Sequence, residues 1–206
     1  MTFIIIEDDA SIILTALEII NELGYQRLST KEICKRQGIS EGSLYKHFCS
    51  KNEILLGVLQ YFGHFDELIG KYIKIKKLSP KEGILFFFAK SAEIYEIDPS
   101  LTAILNQIET FMNEPDLREE IIKIYRYRSN LMLDLINQAI DQKDFRTDVD
   151  SKQLVDILLG TNMAVILRWR INNFNFPLRK RSISISENIL LAYCHNLEVK
   201  ERSKLK

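Results

Sequence analysis

The segment from Leu28 to Lys51 reads LSTKEICKRQGISEGSLYKHFCSK, and its punctuation decides the fold. Ser29-x-x-Glu32 and Ser50-x-x-Glu53 have the spacing of capping boxes, in which the hydroxyl takes an orphan helix N–H and the glutamate returns one. Ser40 supplies a further N-cap. Gly38 falls about two turns after Ser29, where a tight turn needs positive φ. The segment therefore predicts a helix from Ser29, a glycine turn, a short helix from Ser40 and a longer helix from Ser50. Ile33, Cys34, Leu44 and Phe48 face inward. Short helices arranged around a glycine turn form a helix-turn-helix.

Such a unit reads DNA by laying the N-terminal end of its second helix toward the base edges of the major groove. Here that end carries Ser40, Glu41, Gly42 and Ser43, all short enough for close approach. Ser43 can bond a base or a phosphate, and Glu41 can accept from a cytosine amine. Tyr45, Lys46 and His47 carry phosphate-binding tips. Lys51 adds a cation where helix N–H groups already favour phosphate, and Thr30 and Lys31 do the same at the preceding helix start. The chain as a whole has zero formal charge, but Gly24 to Lys51 holds six Lys and Arg against two Glu, a local +4. A local patch suffices for a small reader inside a neutral protein.

Outward from this segment the pattern is helical throughout. Ile12, Ile13, Ala16, Leu17, Ile19, Ile20 and Leu23 recur at helical spacing and predict a helix from Asp8 to Leu23, with Gly24 as a left-handed stop. The helix from Ser50 is expected to reach Lys77, with Gly63 and Gly70 as weak points. Ser79-Pro80-Lys81-Glu82 combines a capping box with a first-turn proline and starts a helix to Ile97. Asp98-Pro99 starts one to Met112, and Pro115 one to Gln142. Asp150-x-x-Gln153 opens a long apolar helix to Asn173. Pro177 and Arg179-Lys180-Arg181 read as a loop, and Ser184-x-x-Glu187 as the cap of a last helix ending near Val199, before a charged tail. The expectation is an all-α chain of about nine helices with no strand: residues 1–52 as a DNA-binding domain and 53–206 as a helical effector-binding and dimerisation domain.

The chain has 206 residues, 46% hydrophobic and 27% charged, ordinary values for a soluble globular protein. Cys34, Cys49 and Cys194 are odd in number and widely spaced, which predicts reduced thiols rather than a disulfide framework or a zinc site. The start, MTFIII, lacks the basic flank and length of a signal peptide. No run approaches the ~18 apolar residues of a membrane span. A cytoplasmic protein without membrane contact, cofactor or metal is expected.

Ile12–Leu23, Gly24-Tyr25, Ser29-Thr30, Ile33, Gly38-Ile39-Ser40, Gly42-Ser43-Leu44-Tyr45-x-His47-Phe48 and Ser50-Lys51-x-Glu53-x-Leu55 together resemble the N-terminal signature of TetR-type transcriptional regulators. The resemblance covers about 50 residues, and LY-x-HF followed by SK-x-E is its most specific part. It implies that Thr30, Lys31, Ser43, Tyr45, His47 and Lys51 occupy DNA-contact positions. Cys34 and Gln37 depart from it, standing where the family often has alanines that pack the second helix on the third.

The resemblance also implies that two C-terminal helices of each subunit build a four-helix dimer interface. Leu158, Gly160, Ala164, Leu167, Leu190 and Tyr193 are the residues expected there, since paired readers suit operator half-sites ~34–36 Å apart. The middle of the chain is rich in aromatics. Phe86-Phe87-Phe88 spans about 200° of helix and cannot all face one core. An effector pocket is usually apolar with a few polar groups. Phe65, Phe87, Gln107, Phe111, Tyr127, Asn162 and Trp169 are the residues expected to line it, with Arg168 as a further polar handle.

These readings point to a dimeric, ligand-responsive repressor that binds a palindromic double-stranded operator and is released by a small apolar or amphipathic effector. The alternative is a dimeric DNA-binding regulator without an effector. An enzyme is disfavoured: no GxSxG, HExxH, GxxxxGK or GxGxxG occurs, and no catalytic residue is assigned. Tyr72-x-x-x-Lys76 lacks a Rossmann context. His64, Asp66 and Glu67 make a weak metal constellation because adjacent helical positions diverge.

Overall fold

Helix starts across the chain are set by short polar side chains that accept the orphan N–H groups of a first turn. Five helices start this way in the computed structural model, which describes residues 7–194 and has nine α-helices among the described residues. These are α1 (Glu7–Leu23), α2 (Thr30–Gln37), α3 (Glu41–Leu44), α4 (Lys51–Ile75), α5 (Pro80–Ile97), α6 (Ile108–Phe111), α7 (Pro115–Asp141), α8 (Ser151–Ile171) and α9 (Leu178–Leu191). No strand occurs among the described residues, only an isolated antiparallel bridge between Phe145 and Cys194. The expected helix end near Val199 and the charged tail lie outside the described residues.

Two compact units result among the described residues, one from residues 7–65 with 97–126 and one from residues 66–96 with 127–194. α4 and α7 each contribute residues to both. In the first unit α1 buries Ile12, Ile13, Ala16, Leu17, Ile19 and Ile20 on one face. The second unit has its own core, built on Ile84, Phe87, Met132, Ile136, Ala139, Phe145, Leu154, Leu158 and Leu190. Of the three consecutive phenylalanines, Phe87 and Phe88 are buried, while half-buried Phe86 stacks on Tyr72 at 4.9 Å.

Several local expectations need correction. Gly24 has φ +82° but ψ 160°, so it turns the chain out as an extended glycine rather than a left-handed helical stop. The segment after Asp98 is a 3-10 helix over Pro99–Gln107, followed by the single turn of α6, rather than one α-helix. Asp98 accepts from the Ser100 N–H at 3.0 Å, and the Thr102 hydroxyl donates to the Pro99 carbonyl at 2.7 Å. The first is an N-cap bond to an orphan N–H, and the second puts a side-chain donor on a carbonyl that an α-helix would pair with its own backbone. The last helix starts at Leu178, not Ser184, so Arg179-Lys180-Arg181 is helical. Its first-turn donor is satisfied from outside, because the Arg179 N–H donates to Glu96 Oε1 at 3.2 Å. No local sequence pattern announces a cap supplied 83 residues away.

Gly70 is a close-approach point rather than a weak one: an added Cβ there would lie 2.2 Å from the Tyr127 hydroxyl. Ser79-x-x-Glu82 forms the full reciprocal box. Glu82 N–H donates to Ser79 Oγ at 3.4 Å, and Ser79 N–H donates to Glu82 Oε2 at 2.9 Å. The Ser79 hydroxyl and backbone N–H hold the Glu82 carboxyl below the usual carboxylate range. A carboxylate depressed in the folded state stabilises it above the unfolded-state pKa, and this contribution is lost as pH falls through the folded pKa. Glu82→Gln keeps the cap geometry but not the charge. Its thermal midpoint is expected to fall below wild type at about pH 7, and the gap to close as the pH falls through the depressed Glu82 pKa, as followed by circular dichroism.

Candidate nucleic-acid interface

The Ser29 hydroxyl accepts from Glu32 N–H at 3.2 Å and starts α2. The return half of that box is not made; the Glu32 carboxylate instead accepts from Arg36 Nε at 3.3 Å. α2 ends at Gly38, whose φ of 67° and ψ of 26° place it in the left-handed region, as the spacing required. Ser40 then accepts from Ser43 N–H at 3.1 Å and opens the single turn α3. Leu44 is fully buried and Phe48 nearly so, which pins the reading turn to the core. The Ser50 hydroxyl accepts from Glu53 N–H at 3.1 Å, while Glu53 reaches back to Cys49 N–H at 2.6 Å. α4 therefore starts at Lys51.

Ile33 and Cys34 are buried as expected. Gln37, which departs from the alanine pattern, turns to α1 rather than α3. Ser11 Oγ donates to Gln37 Oε1 at 2.8 Å, and Gln37 Nε2 donates to the Ser11 carbonyl and to Thr15 Oγ1. An alanine there would leave the buried Thr15 hydroxyl without this partner. Arg36 is also drawn to α1, pairing with Glu22 at 2.8 Å as well as with Glu32. The basic patch counted along the sequence therefore loses one of its cations to structural use.

Lys31, Glu41, Gly42, Tyr45 and Lys46 are exposed, and Thr30, Ser43, His47 and Lys51 are half-buried. Two of the nine have partners that set their direction. His47 Nδ1 lies 2.7 Å from Asp9 Oδ1. The carboxylate can only accept, so Nδ1 is the donor and Nε2 is the ring nitrogen left for another group. The Lys51 ammonium sits 4.6 Å from the Tyr25 ring centroid, and Tyr25 packs edge-on against Phe111 at 5.5 Å. Burial pushes the Lys51 ammonium down, and the Glu114 carboxylate pushes it partly back. The pattern of the N-terminal segment did not reveal this support, since Phe111 lies sixty residues beyond Lys51 in the chain.

The residues expected to line an effector pocket are drawn from both units. Phe65, Gln107 and Phe111 belong to the first unit; Phe87, Tyr127, Asn162 and Trp169 belong to the second. Phe111 is fully buried against Tyr25, and Phe87 lies in the second core. Trp169 is buried, and its indole N–H donates to the Phe176 carbonyl at 2.9 Å. Phe65 packs edge-on against Tyr61 at 5.0 Å. Gln107 and Tyr127 are half-buried. Asn162 Nδ2 donates to the Leu158 carbonyl at 3.0 Å and to Ser186 Oγ at 3.1 Å, and its buried Oδ1 has no hydrogen-bond partner among the described residues.

The residues expected at a dimer face also divide. Leu158 and Leu190 are corrected to internal core, both fully buried within this chain, and half-buried Tyr193 packs on the same core. They sit on the inward sides of α8 and α9, which an apolar count along each helix does not distinguish from the outward sides. Gly160, Ala164 and Leu167 are exposed, together with Met163 and Ile171 on α8 and Leu191 on α9. No atom comes within 4 Å of a Cβ built at Gly160.

One polar group escaped sequence reading. Asp66, 2% exposed, accepts from Arg128 Nε, and Arg128 Nη2 donates to the hydroxyl of buried Tyr95 at 3.2 Å. These side chains come from α4, α7 and α5. Burial alone would lower the Arg128 guanidinium, but the Asp66 carboxylate outweighs it and holds the group firmly charged. The sequence-level trio His64, Asp66 and Glu67 thus separates, Asp66 serving Arg128. Among the described residues no group of three His, Cys, Asp or Glu could hold a metal ion. No helix among them is long and apolar enough to cross a membrane.

A helix-turn-helix at the head of an otherwise helical chain defines a DNA-binding regulator. Residues 12–58 match the bacterial regulatory proteins of the tetR family, and residues 60–192 match the C-terminal region of the YsiA-like proteins. The chain belongs to the tetR family of transcriptional regulators. It is similar to the fatty acid metabolism regulator protein of Bacillus subtilis, with 27% identity over 90% of this chain and 94% of that protein. It is also similar to the transcriptional repressor KstR2 of Mycobacterium tuberculosis, with 27% identity over 72% of this chain and 74% of that one. Among solved structures, the regulator FadR of Bacillus subtilis in complex with stearoyl-CoA superimposes with a TM-score of 0.76, at 25% identity, over 88% of this chain and 97% of that one.

Proposed function

We propose that this protein is a homodimeric repressor that binds a palindromic operator through α2 and α3 and is released by a long-chain acyl-CoA. The reading is carried by the near full-length likeness to a regulator of fatty acid metabolism and to a FadR solved with stearoyl-CoA. Residues 1–52 supply the reader, and residues 53–206 the effector and dimer functions.

Lys31, Tyr45, Lys46, His47 and Lys51 bind phosphates, while Glu41, Gly42 and Ser43 approach the base edges and Thr30 adds a contact at the start of α2. The exposed apolar stripe of Gly160, Met163, Ala164, Leu167 and Ile171 on α8, with Leu191 on α9, meets its copy in the partner. The small residues allow the two α8 helices to approach closely. In the second unit the Asn162 amide oxygen is a polar group available to a donor on the ligand, such as a pantetheine amide N–H.

The test measures operator affinity by fluorescence anisotropy with and without stearoyl-CoA. The ligand need only prefer the conformation that binds DNA poorly to shift the population. Loss of operator binding with stearoyl-CoA, but not with stearate, is expected; unchanged binding would leave the effector-free regulator as the reading. Lys51→Ala is expected to weaken operator and random DNA alike. It should also flatten the slope of log affinity against log salt by roughly 0.9 per lost phosphate contact. An unchanged slope would remove Lys51 from the interface.

A further inference from the structure

The corner between α8 and α9 concentrates charge that neither the reader nor the core uses. From Arg168 to Arg181 the chain carries five cations, Arg168, Arg170, Arg179, Lys180 and Arg181, and no acid. The backbone there is unusual. Asn173 and Phe174 are consecutive non-glycine residues with φ of 50° and 60°. Asn173 fits a helix C-terminal turn, because the Phe174 N–H donates back to the Trp169 carbonyl at 2.8 Å. A bulky side chain seldom takes the left-handed conformation that Phe174 adopts, and its ring is left exposed.

Trp169 holds both ends of the turn, edge-on to Phe174 at 4.7 Å and bonded through its indole N–H to the Phe176 carbonyl. Around this frame the Arg168 and Arg181 guanidiniums, one from each helix, lie 5.5 and 5.8 Å from the same Phe176 ring centroid. Arg170 lies 5.7 Å from the Phe174 ring. Arg179 is already engaged, its guanidinium lying 3.4 Å from Glu93. Arg168 and Arg181 have no carboxylate partner among the described residues. The Phe176 ring holds each guanidinium by a cation–π contact, and the two positive charges at one corner favour an anion. Planar guanidinium forks match phosphate oxygens, and an exposed aromatic ring is a platform for a nucleobase.

We propose that this corner binds the phosphorylated nucleotide end of a CoA thioester, with Arg168 and Arg181 on its phosphates and Phe174 against its adenine. The placement rests on the acyl-CoA reading above and extends it, since a free fatty acid carries neither a phosphate nor a nucleobase.

Isothermal titration of the full chain with coenzyme A, which has no acyl group, tests the placement directly. Wild type is expected to bind it. Arg168→Ala/Arg181→Ala is expected to bind at least about tenfold more weakly, and the corresponding lysine pair to fall between, having charge without the fork. Phe174→Ala weakens binding while leaving the arginines in place, and serves if the double variant does not fold. Operator affinity should be unchanged in all three.

No binding of coenzyme A to wild type, or equal binding to all variants, would overturn the proposal. So would a double variant that loses operator rather than coenzyme A. The two readings fail separately. Stearoyl-CoA releasing operator equally from wild type and double variant would remove the headgroup site and keep the effector. Coenzyme A binding that depends on the two arginines, without operator release by stearoyl-CoA, would do the reverse.

Discussion

Asp66→Ala is expected to destabilise the protein by about 3–5 kcal/mol, the cost of stripping one partner from a buried ion pair. Arg128 keeps its charge without Asp66, because a guanidinium does not deprotonate in a protein. Its side chain is only 16% exposed, so water makes up little of the lost carboxylate. The Tyr95 hydroxyl remains as a neutral acceptor at 3.2 Å, which does not offset a full charge. For a chain of this length the thermal midpoint should drop by roughly 6–20 °C. Asp66→Asn, nearly isosteric but neutral, should lose most of the same. Asp66→Ala/Arg128→Met should recover much of it, since an apolar pair in place of a buried ion pair is often neutral or better. Calorimetry on wild type and these three variants decides the matter. A single-variant loss below about 1 kcal/mol, the range of an exposed pair, would mean that Arg128 reaches solvent.

Phe111→Ala is expected to cost a comparable 3–5 kcal/mol, because it empties a fully buried aromatic site. It also has a functional consequence that a generic core deletion lacks. Phe111 is the ring against which Tyr25 packs edge-on, and Tyr25 is the ring beneath Lys51. With Phe111 removed, Tyr25 loses its backing and Lys51 loses a fixed direction at the start of α4. Operator affinity at a temperature where the variant is fully folded should therefore fall toward that of Lys51→Ala. Adding Lys51→Ala to Phe111→Ala should then cost less than it does in wild type, as expected for coupled sites. Fully additive losses would show that Phe111 supports the fold alone.

The helix-turn-helix was legible because its determinants are local. Ser29, Gly38, Ser40 and Ser50 act on backbone groups two to four residues away, so spacing alone carries the information. The same holds for Ser79-Pro80-x-Glu82 and Asp150. Legibility failed where a partner came from far along the chain. α9 begins at Leu178 because Glu96 accepts the Arg179 N–H, while the Ser184 cap signal stands inside the helix unused. The segment after Asp98 had a sound start, but it continues as a 3-10 helix in which the Thr102 hydroxyl occupies the Pro99 carbonyl. Leu158 and Leu190 have the composition of an interface, yet face inward, since apolar character specifies burial without naming what does the burying.

The sequence by itself determined the helical class, the reading motif and most helix starts, all of which follow from side-chain to backbone chemistry within one or two turns. The tertiary structure alone decided three things: that Arg36 and Gln37 of α2 serve α1, that Tyr25 and Phe111 carry Lys51, and that Asp66 belongs to Arg128 and Tyr95. Each joins residues tens of positions apart. Their energies depend on burial and distance, which packing creates and no spacing along the chain encodes.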